Sequence, residues 1–207
     1  MTGAMNRRDI LAGIGAAGLA AALPVRAFAQ AFQVSDQQRR ILAIAKEQLE
    51  RNRSRLWRTD IVGVADYALP SSLPRFHFAD LEKGTVRSFL VAHGRGSDPE
   101  HDGFLKYFSN QPGSNATSRG AYITNEWYKG KYGTSIRLVG VDPENSAALE
   151  RLIVIHPAWY ANPDMLDKWG KLGRSDGCFA MGEGDFNEAL WHLSGGRLLY
   201  ADRLGIY

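Results

Sequence analysis

The sequence predicts an α+β domain dominated by strands, with helices at its periphery. Three observations carry that expectation. At 207 residues and 44% apolar composition, the chain suits one compact unit with an ample core. From residue 60 onward, short runs rich in Val, Ile, Phe, Tyr and Leu alternate with turns, the texture of strands. Helical periodicity is confined to one stretch before those runs and to short segments later, and no repeat, linker or low-complexity tract divides the chain.

The elements follow in order. Ser35 to Asn52 is an amphipathic helix: Ile41, Leu42, Ala45 and Leu49 share a face, and Ser35 caps it with Gln38 answering three residues on. Strands are expected at 60–69 ("DIVGVADYAL"), 75–81 ("RFHFADL") and 85–93 ("TVRSFLVAH"), with a turn at Glu82-Lys83-Gly84. Residues 94–118 are rich in Gly, Ser, Asn and Pro without a sustained period, which makes them one long loop of the kind that carries function. Strands resume at 120–124 and 134–142, a short helix lies near Asn145–Glu150, and "RLIVIHP" (151–157) is an apolar strand. A helix is expected over Asp164–Lys171. Another spans Asp185–Leu193, capped by Asp185 with Glu188 and stopped by Gly195-Gly196. "RLLYAD" (197–202) closes the sequence as a strand.

Residues 1–29 stand apart. Arg7-Arg8, an apolar stretch from Ile10 to Leu23 and Ala27-Phe28-Ala29 are the parts of an export signal with an A-x-A cleavage site, leaving Gln30 as the mature N-terminus. The arginine pair resembles the twin-arginine (Tat) signal, so a periplasmic protein exported already folded is expected. The apolar stretch, broken by Pro24, is too short to span a bilayer, and no membrane anchor is expected after cleavage. Removing the signal leaves 22 basic against 21 acidic residues, a net charge of +1. No basic stripe remains, so nucleic acid is not an expected partner. Residues 30–58 form an N-terminal helical segment ahead of a strand-rich domain over 59–207.

"GRSDGCFAM" (173–181) holds two candidate nucleophiles, Ser175 and Cys178. Gly173 to Gly177 fits the G-x-S-x-G elbow, but that motif needs its acid and histidine downstream in a large parallel sheet. Only 32 residues follow Ser175, and the one histidine among them, His192, falls within a helical pattern. The serine is rejected. Cys178 is the only cysteine, which in an exported chain marks a free thiol, either a small buried hydrophobe or a reactive group. A reactive thiol needs a base, and His156 closes the apolar strand 22 residues earlier, where the chain turns at Pro157. Gly177 keeps bulk away from the sulfur, so a substrate carbonyl can approach and the N–H groups of Gly177 and Cys178 can face a developing oxyanion. An imidazolium beside the thiol would lower its pKa below the usual 8.5 or so and create the thiolate.

With His156 followed by Ser175-x-Gly177-Cys178, the sequence resembles the murein L,D-transpeptidase catalytic domain family, in a branch with a G-R-S-x-G-C pattern. "VAHGRGS" (91–97), "FSNQPGSNATSRGAY" (108–122), "YKGKYGTSIRL" (128–138) and "RLIVIH" (151–156) extend the resemblance over residues 60–202. It implies an L,D-transpeptidase-like β-sandwich or barrel with peripheral helices. It also implies attack by Cys178 on a peptide carbonyl of a peptidoglycan stem, release of D-alanine, and a thioester resolved by a second stem's amine as a 3→3 cross-link. Water as acceptor would make the chain an L,D-carboxypeptidase. Cys178 carries over as nucleophile, His156 as general acid/base, Gly177 as oxyanion contributor and Ser175 as orienting residue, with no metal or organic cofactor. Asp176 stands where the main signature has histidine and is expected to point outward. Ala180 stands where many members have arginine or asparagine, so recognition of the substrate carboxylate passes to Arg174 or Arg119.

His93, before Gly94 at a strand end, either lines the cleft and touches substrate or makes a structural hydrogen bond. His101 with Asp98 and Asp102 is a solvated loop and not a metal site. The tryptophans at 57, 127, 159, 169 and 191 are expected as core or rim residues, with sugar stacking the alternative. A sortase-like reading fails because the His-to-Cys interval is too short. A non-catalytic wall-binding module that keeps the fold is kept open by Asp176 and Ala180.

Overall fold

The computed structural model describes residues 35–131 and 133–206; the expected export signal lies outside them. Eight strands form one sheet: β1 (Ile61–Asp66), β2 (Phe76–Asp80), β3 (Thr85–Phe89), β4 (Gly120–Gly130), β5 (Gly133–Gly140), β6 (Val154–Pro157), β7 (Phe179–Met181) and β8 (Leu198–Asp202). Their order is β3-β2-β1-β8-β4-β5-β6-β7, antiparallel throughout except for the parallel pairs β1–β8 and β6–β7. The chain just beyond β3 then meets the opposite edge: Ala92 N–H donates to Ala180 O at 2.8 Å, and Gly94 bridges to Ser175. The sheet is therefore nearly closed, as the β-dominated prediction requires.

Alternation sorts the two faces of that sheet. Along β1, Val62 and Val64 face outward beneath helix α1 (Asp36–Asn52), and Ile61 and Ala65 face inward. Ile41, Ala45 and Leu49 of α1 cover Val62, Val64, Ala79 and Leu198, and each large aliphatic side chain so buried contributes about 1.5–3 kcal/mol. The capping box at the start of α1 forms as the sequence predicts, with Gln38 N–H donating to Ser35 Oγ at 3.1 Å and Ser35 N–H to Gln38 Oε1 at 3.2 Å. Inside the sheet, Phe76, Phe78, Tyr122, Ile155, Phe179 and Leu199 make the main core, plugged by Phe186 and Leu193 of α3 (Phe186–Leu193).

Several element ends differ from the sequence reading, each for a local reason. β1 stops at Asp66 and not at residue 69, because the buried Asp66 carboxylate accepts N–H bonds from Ala68, Leu204, Gly205 and Ile206 and so ties the chain's last residues across the strand end. β6 starts at Val154 and not at 151, because Leu152 is left-handed (φ 55°), a conformation no strand contains. β4 runs on to Gly130 past a bulge between Thr124 and Trp127, building a hairpin whose polar, exposed outer half hid its period. The short helix near Asn145–Glu150 is a 3-10 turn at Pro143–Asn145 instead. Helix α2 (Asp164–Trp169) ends two residues early, where Gly170 takes the left-handed cap (φ 70°). Asp185 precedes α3 in helical conformation with no side-chain cap, and Glu188 pairs instead with Arg87 and His192.

The root of the long loop is fixed by a buried polar chain. Fully buried Arg75 donates to Val91 O at 2.9 and 3.1 Å, to Leu69 O at 2.8 Å and to His93 Nδ1 at 2.7 Å. Its guanidinium also lies 4.9 Å from the centre of the Tyr67 ring. Because Nδ1 accepts, the proton sits on Nε2, which donates to Asp98 Oδ2 at 3.3 Å; that carboxylate in turn caps the N–H groups of Asp102 and Gly103. The Tyr67 hydroxyl itself is buried with no hydrogen-bond partner among the described residues, a loss that a phenylalanine avoids. Tyr67→Phe is therefore expected to raise the urea midpoint, by about 1 kcal/mol in unfolding free energy. A fall of that size would show the hydroxyl to be paired.

Candidate active site

Cys178 enters β7 from a turn that is stapled on every side. Ser175 Oγ donates to Cys178 O at 2.7 Å and accepts Gly177 N–H at 3.2 Å, closing the turn with one hydroxyl. Its backbone bridges to the other sheet edge, receiving Arg95 N–H at 2.8 Å and donating to His93 O at 2.9 Å. Gly177 is left-handed (φ 115°), and a Cβ there would come within 2.8 Å of Ala116 O and 2.9 Å of an Ile153 methyl carbon. Only glycine fits. The expected oxyanion role of the Gly177 N–H is corrected in one respect, since that N–H already donates to Ser175.

The β6–β7 pair brings His156 and the residue preceding β7, Cys178, into one neighbourhood. The parallel register sets Ile155 opposite Phe179 and His156 opposite Ala180. Ile155 and Phe179 point into the main core, so alternation turns His156 and Ala180 to the outer face, and Cys178 immediately precedes β7, two residues before the partner of His156. The His156 ring is oriented by its own backbone: Nδ1–H donates to Pro157 O at 2.9 Å, which leaves Nε2 as the acceptor nitrogen. The thiol donates to Leu152 O at 3.6 Å.

Electrostatics differ from the expected thiolate–imidazolium pair. Cys178 is 7% exposed, and burial pushes its thiol up to about 11, only partly offset by the Val154 backbone hydrogen bond and by Arg151. Burial likewise lowers the pKa of His156, with the Pro157 carbonyl acting in the other direction. Both groups are neutral at pH 7 in the free chain. Asp176 points outward as expected, pairing with Arg95 at 3.0 Å, though its charge still raises the thiol pKa. Iodoacetamide is thus expected to label Cys178 slowly at pH 7, at a rate that climbs about tenfold per pH unit with no inflection below pH 9. An inflection near pH 7, read by mass spectrometry of the labelled chain, would restore the ion pair.

A model of the L,D-transpeptidase catalytic domain matches residues 32–201. The chain belongs to the L,D-transpeptidase catalytic domain family. Among solved structures it is similar to an L,D-transpeptidase from Mycobacterium smegmatis, at 14% identity and a TM-score of 0.41 over 69% of this chain and 58% of that one. One from Mycobacterium tuberculosis gives 16% and 0.40 over 69% and 57%. A helical cell shape determining protein from Campylobacter jejuni gives 13% and 0.41 over 82% and 57%. The chain thus spans less than three-fifths of each of these structures. No curated protein matches it.

Within that family frame, the residues expected to meet substrate have other partners. His93 is buried between Arg75 and Asp98, and burial together with the Arg75 charge drives its pKa down to about 2. Its two ring nitrogens are both occupied, which makes it a strut of the loop root. Arg174 binds the carbonyls of Asp98 and Pro99, and Arg119 pairs with Asp202 at 2.7 Å on the far side of β4 from β6 and β7. The cation that does act on the sulfur is Arg151, the first residue of "RLIVIH", to which the sequence alone assigns no role. Its guanidinium binds Ser109 O at 2.7 Å, Ser118 Oγ and Ser114 Oγ at 3.3 Å, and Ala116 O, strapping the long loop down beside Gly177. A Cβ on Gly177 would lie 3.2 Å from its Nη2. The available signal is an arginine three residues ahead of the strand that ends in the candidate base. Among the described residues no cluster of three or more His, Cys, Asp or Glu is disposed to hold a metal.

Proposed function

We propose that the chain is an exported, periplasmic cysteine acyltransferase that acts on peptidoglycan stem peptides. The observation that supports this reading is the β6–β7 register, which sets His156, with a fixed tautomer, two ladder positions from Cys178. Family membership supports the substrate class. The twin arginines and A-x-A site of residues 1–29 support export through the Tat route.

The chemistry follows from two neutral groups. As Sγ attacks the stem carbonyl, its proton passes to Nε2 of His156, and the imidazolium so formed is steadied by Nδ1–H donation to Pro157 O. The imidazolium then protonates the leaving D-alanine amine as the C–N bond breaks, leaving a thioester on Cys178 and a neutral ring. An acceptor amine from a second stem loses a proton to the same nitrogen as it attacks the thioester. The proton returns to sulfur, and a 3→3 cross-link leaves. Ser175 holds the turn, Gly177 gives the carbonyl room, and Arg151 supplies positive charge next to the sulfur.

One observation favours a second reading, a non-catalytic wall-binding module. The thiol is nearly closed off and its ionisation is pushed up to about 11. Incubation of the mature chain with a purified tetrapeptide stem separates the cases. Cross-linked dimer is the expected product; tripeptide with free D-alanine would make water the acceptor and the chain an L,D-carboxypeptidase; recovery of unchanged tetrapeptide would favour the module.

A further inference from the structure

The tryptophans do not enter the core: all five are exposed. Burying an indole is among the larger gains folding offers, so rings held in water together point to a use at the surface. Trp159 and Trp169 are such a pair, 59% and 42% exposed, meeting edge to face with ring centres 6.4 Å apart, and Tyr160 stands edge-on to Trp159 at 5.9 Å. Lys168 Nζ lies 5.2 Å from the Trp169 ring centre. Beside them opens a cleft of 380 Å³ lined by His101, Trp169 and Lys171, within the span of about 300–1,000 Å³ common for small-ligand sites.

This group is bound to the candidate active site through backbone. It occupies the excursion between His156 and Cys178. Ala158 N–H donates to Met181 O at 2.8 Å, fixing the start of the excursion to β7. Gly173, the first residue of the cysteine motif, donates its N–H to Tyr160 O at 2.7 Å, and a Cβ there would lie 2.6 Å from that of Tyr160. Helix α2 turns Met165 inward and leaves Trp169 on its last turn, so packing of the helix does not require the second indole. Indole faces suit the C–H faces of a pyranose, and the ammonium and imidazole groups lining the cleft suit its hydroxyl and acetamido oxygens.

We propose that Trp159, Tyr160 and Trp169, with the His101–Lys171 cleft, form a carbohydrate platform that takes a strand of N-acetylated amino sugars. The identity of the sugar rests on the peptidoglycan reading above, since the glycan that carries a donor stem must pass close to the sulfur that attacks it.

The test is calorimetric titration of the full mature chain, carrying Cys178→Ala so that no turnover contributes, with murein glycan strands stripped of their stems. Saturable binding is expected, weakened about tenfold by Trp159→Ala or Trp169→Ala and unchanged by Trp191→Ala, an exposed indole on α3. No heat of binding overturns the proposal, and so does binding that Trp159→Ala and Trp169→Ala leave intact. The assay lacks both the sulfur and the stem, so it fails separately from the acyltransferase. Glycan binding without acylation of stems keeps the platform and removes the enzyme, and acylation without glycan binding does the reverse.

Discussion

Cys178→Ala is expected to abolish acyl transfer, lowering turnover of a stem tetrapeptide by at least about 10³-fold while leaving the fold intact. Cys178 is the only thiol of the sequence, and alanine fills its buried position without adding a polar group. Ser175→Ala should behave differently. It removes the bridge from Cys178 O to Gly177 N–H, loosening the turn, but activity remains measurable. His156→Gln belongs with the cysteine, because a base that moves a proton in the transition state is worth about 10²–10⁴-fold. Intact-mass detection of the acyl-enzyme and product chromatography read all three. Equal loss in the Cys178 and Ser175 variants would reverse the assignment of nucleophile and positioning residue.

The largest effect on stability is expected at Arg75. Arg75→Leu keeps the volume apolar but strands Val91 O, Leu69 O and His93 Nδ1 in a dry interior. Burial pushes the arginine down only to about 10, so it is charged at neutral pH, and removing one member of such a buried charged network costs about 3–5 kcal/mol. A domain of this size has about 5–15 kcal/mol in total, so the midpoint of thermal unfolding should fall by about 6–20 °C. Hydrogen exchange should quicken first at the root of the 94–118 loop, where His93 and Asp98 lose their anchor. A change below 1 kcal/mol would mean that the guanidinium is solvated and the loop held elsewhere.

What the sequence disclosed was what local pattern encodes. The α1 cap, its buried face, the long loop and the central strands follow from neighbours a few residues apart, and the proposed Cys–His pairing starts from a lone thiol and a strand-end histidine. What escaped depends on distant partners. Asp66 ends β1 only because the chain's last residues return to it. Arg151 gains its role from four oxygens of a loop more than thirty residues earlier. His93 looks like a cleft residue until Arg75 and Asp98 take both of its nitrogens. The raised thiol pKa escapes the sequence for the same reason: spacing suggests an imidazole and says nothing of how dry the surroundings of each group are. β7 went unread because its three residues are the tail of the motif itself.

The proposed catalysis rests on proton transfer between a neutral thiol and a neutral imidazole, and the acylation rate of Cys178 by a stem tetrapeptide between pH 6 and 9 measures it most directly. The unaltered chain should acylate at a rate nearly level above neutrality, because His156 takes the thiol proton during attack. His156→Ala should be slower throughout and gain about tenfold per pH unit, since only the thiolate that forms toward pH 11 can then react. Identical pH profiles for the two chains would contradict the pairing.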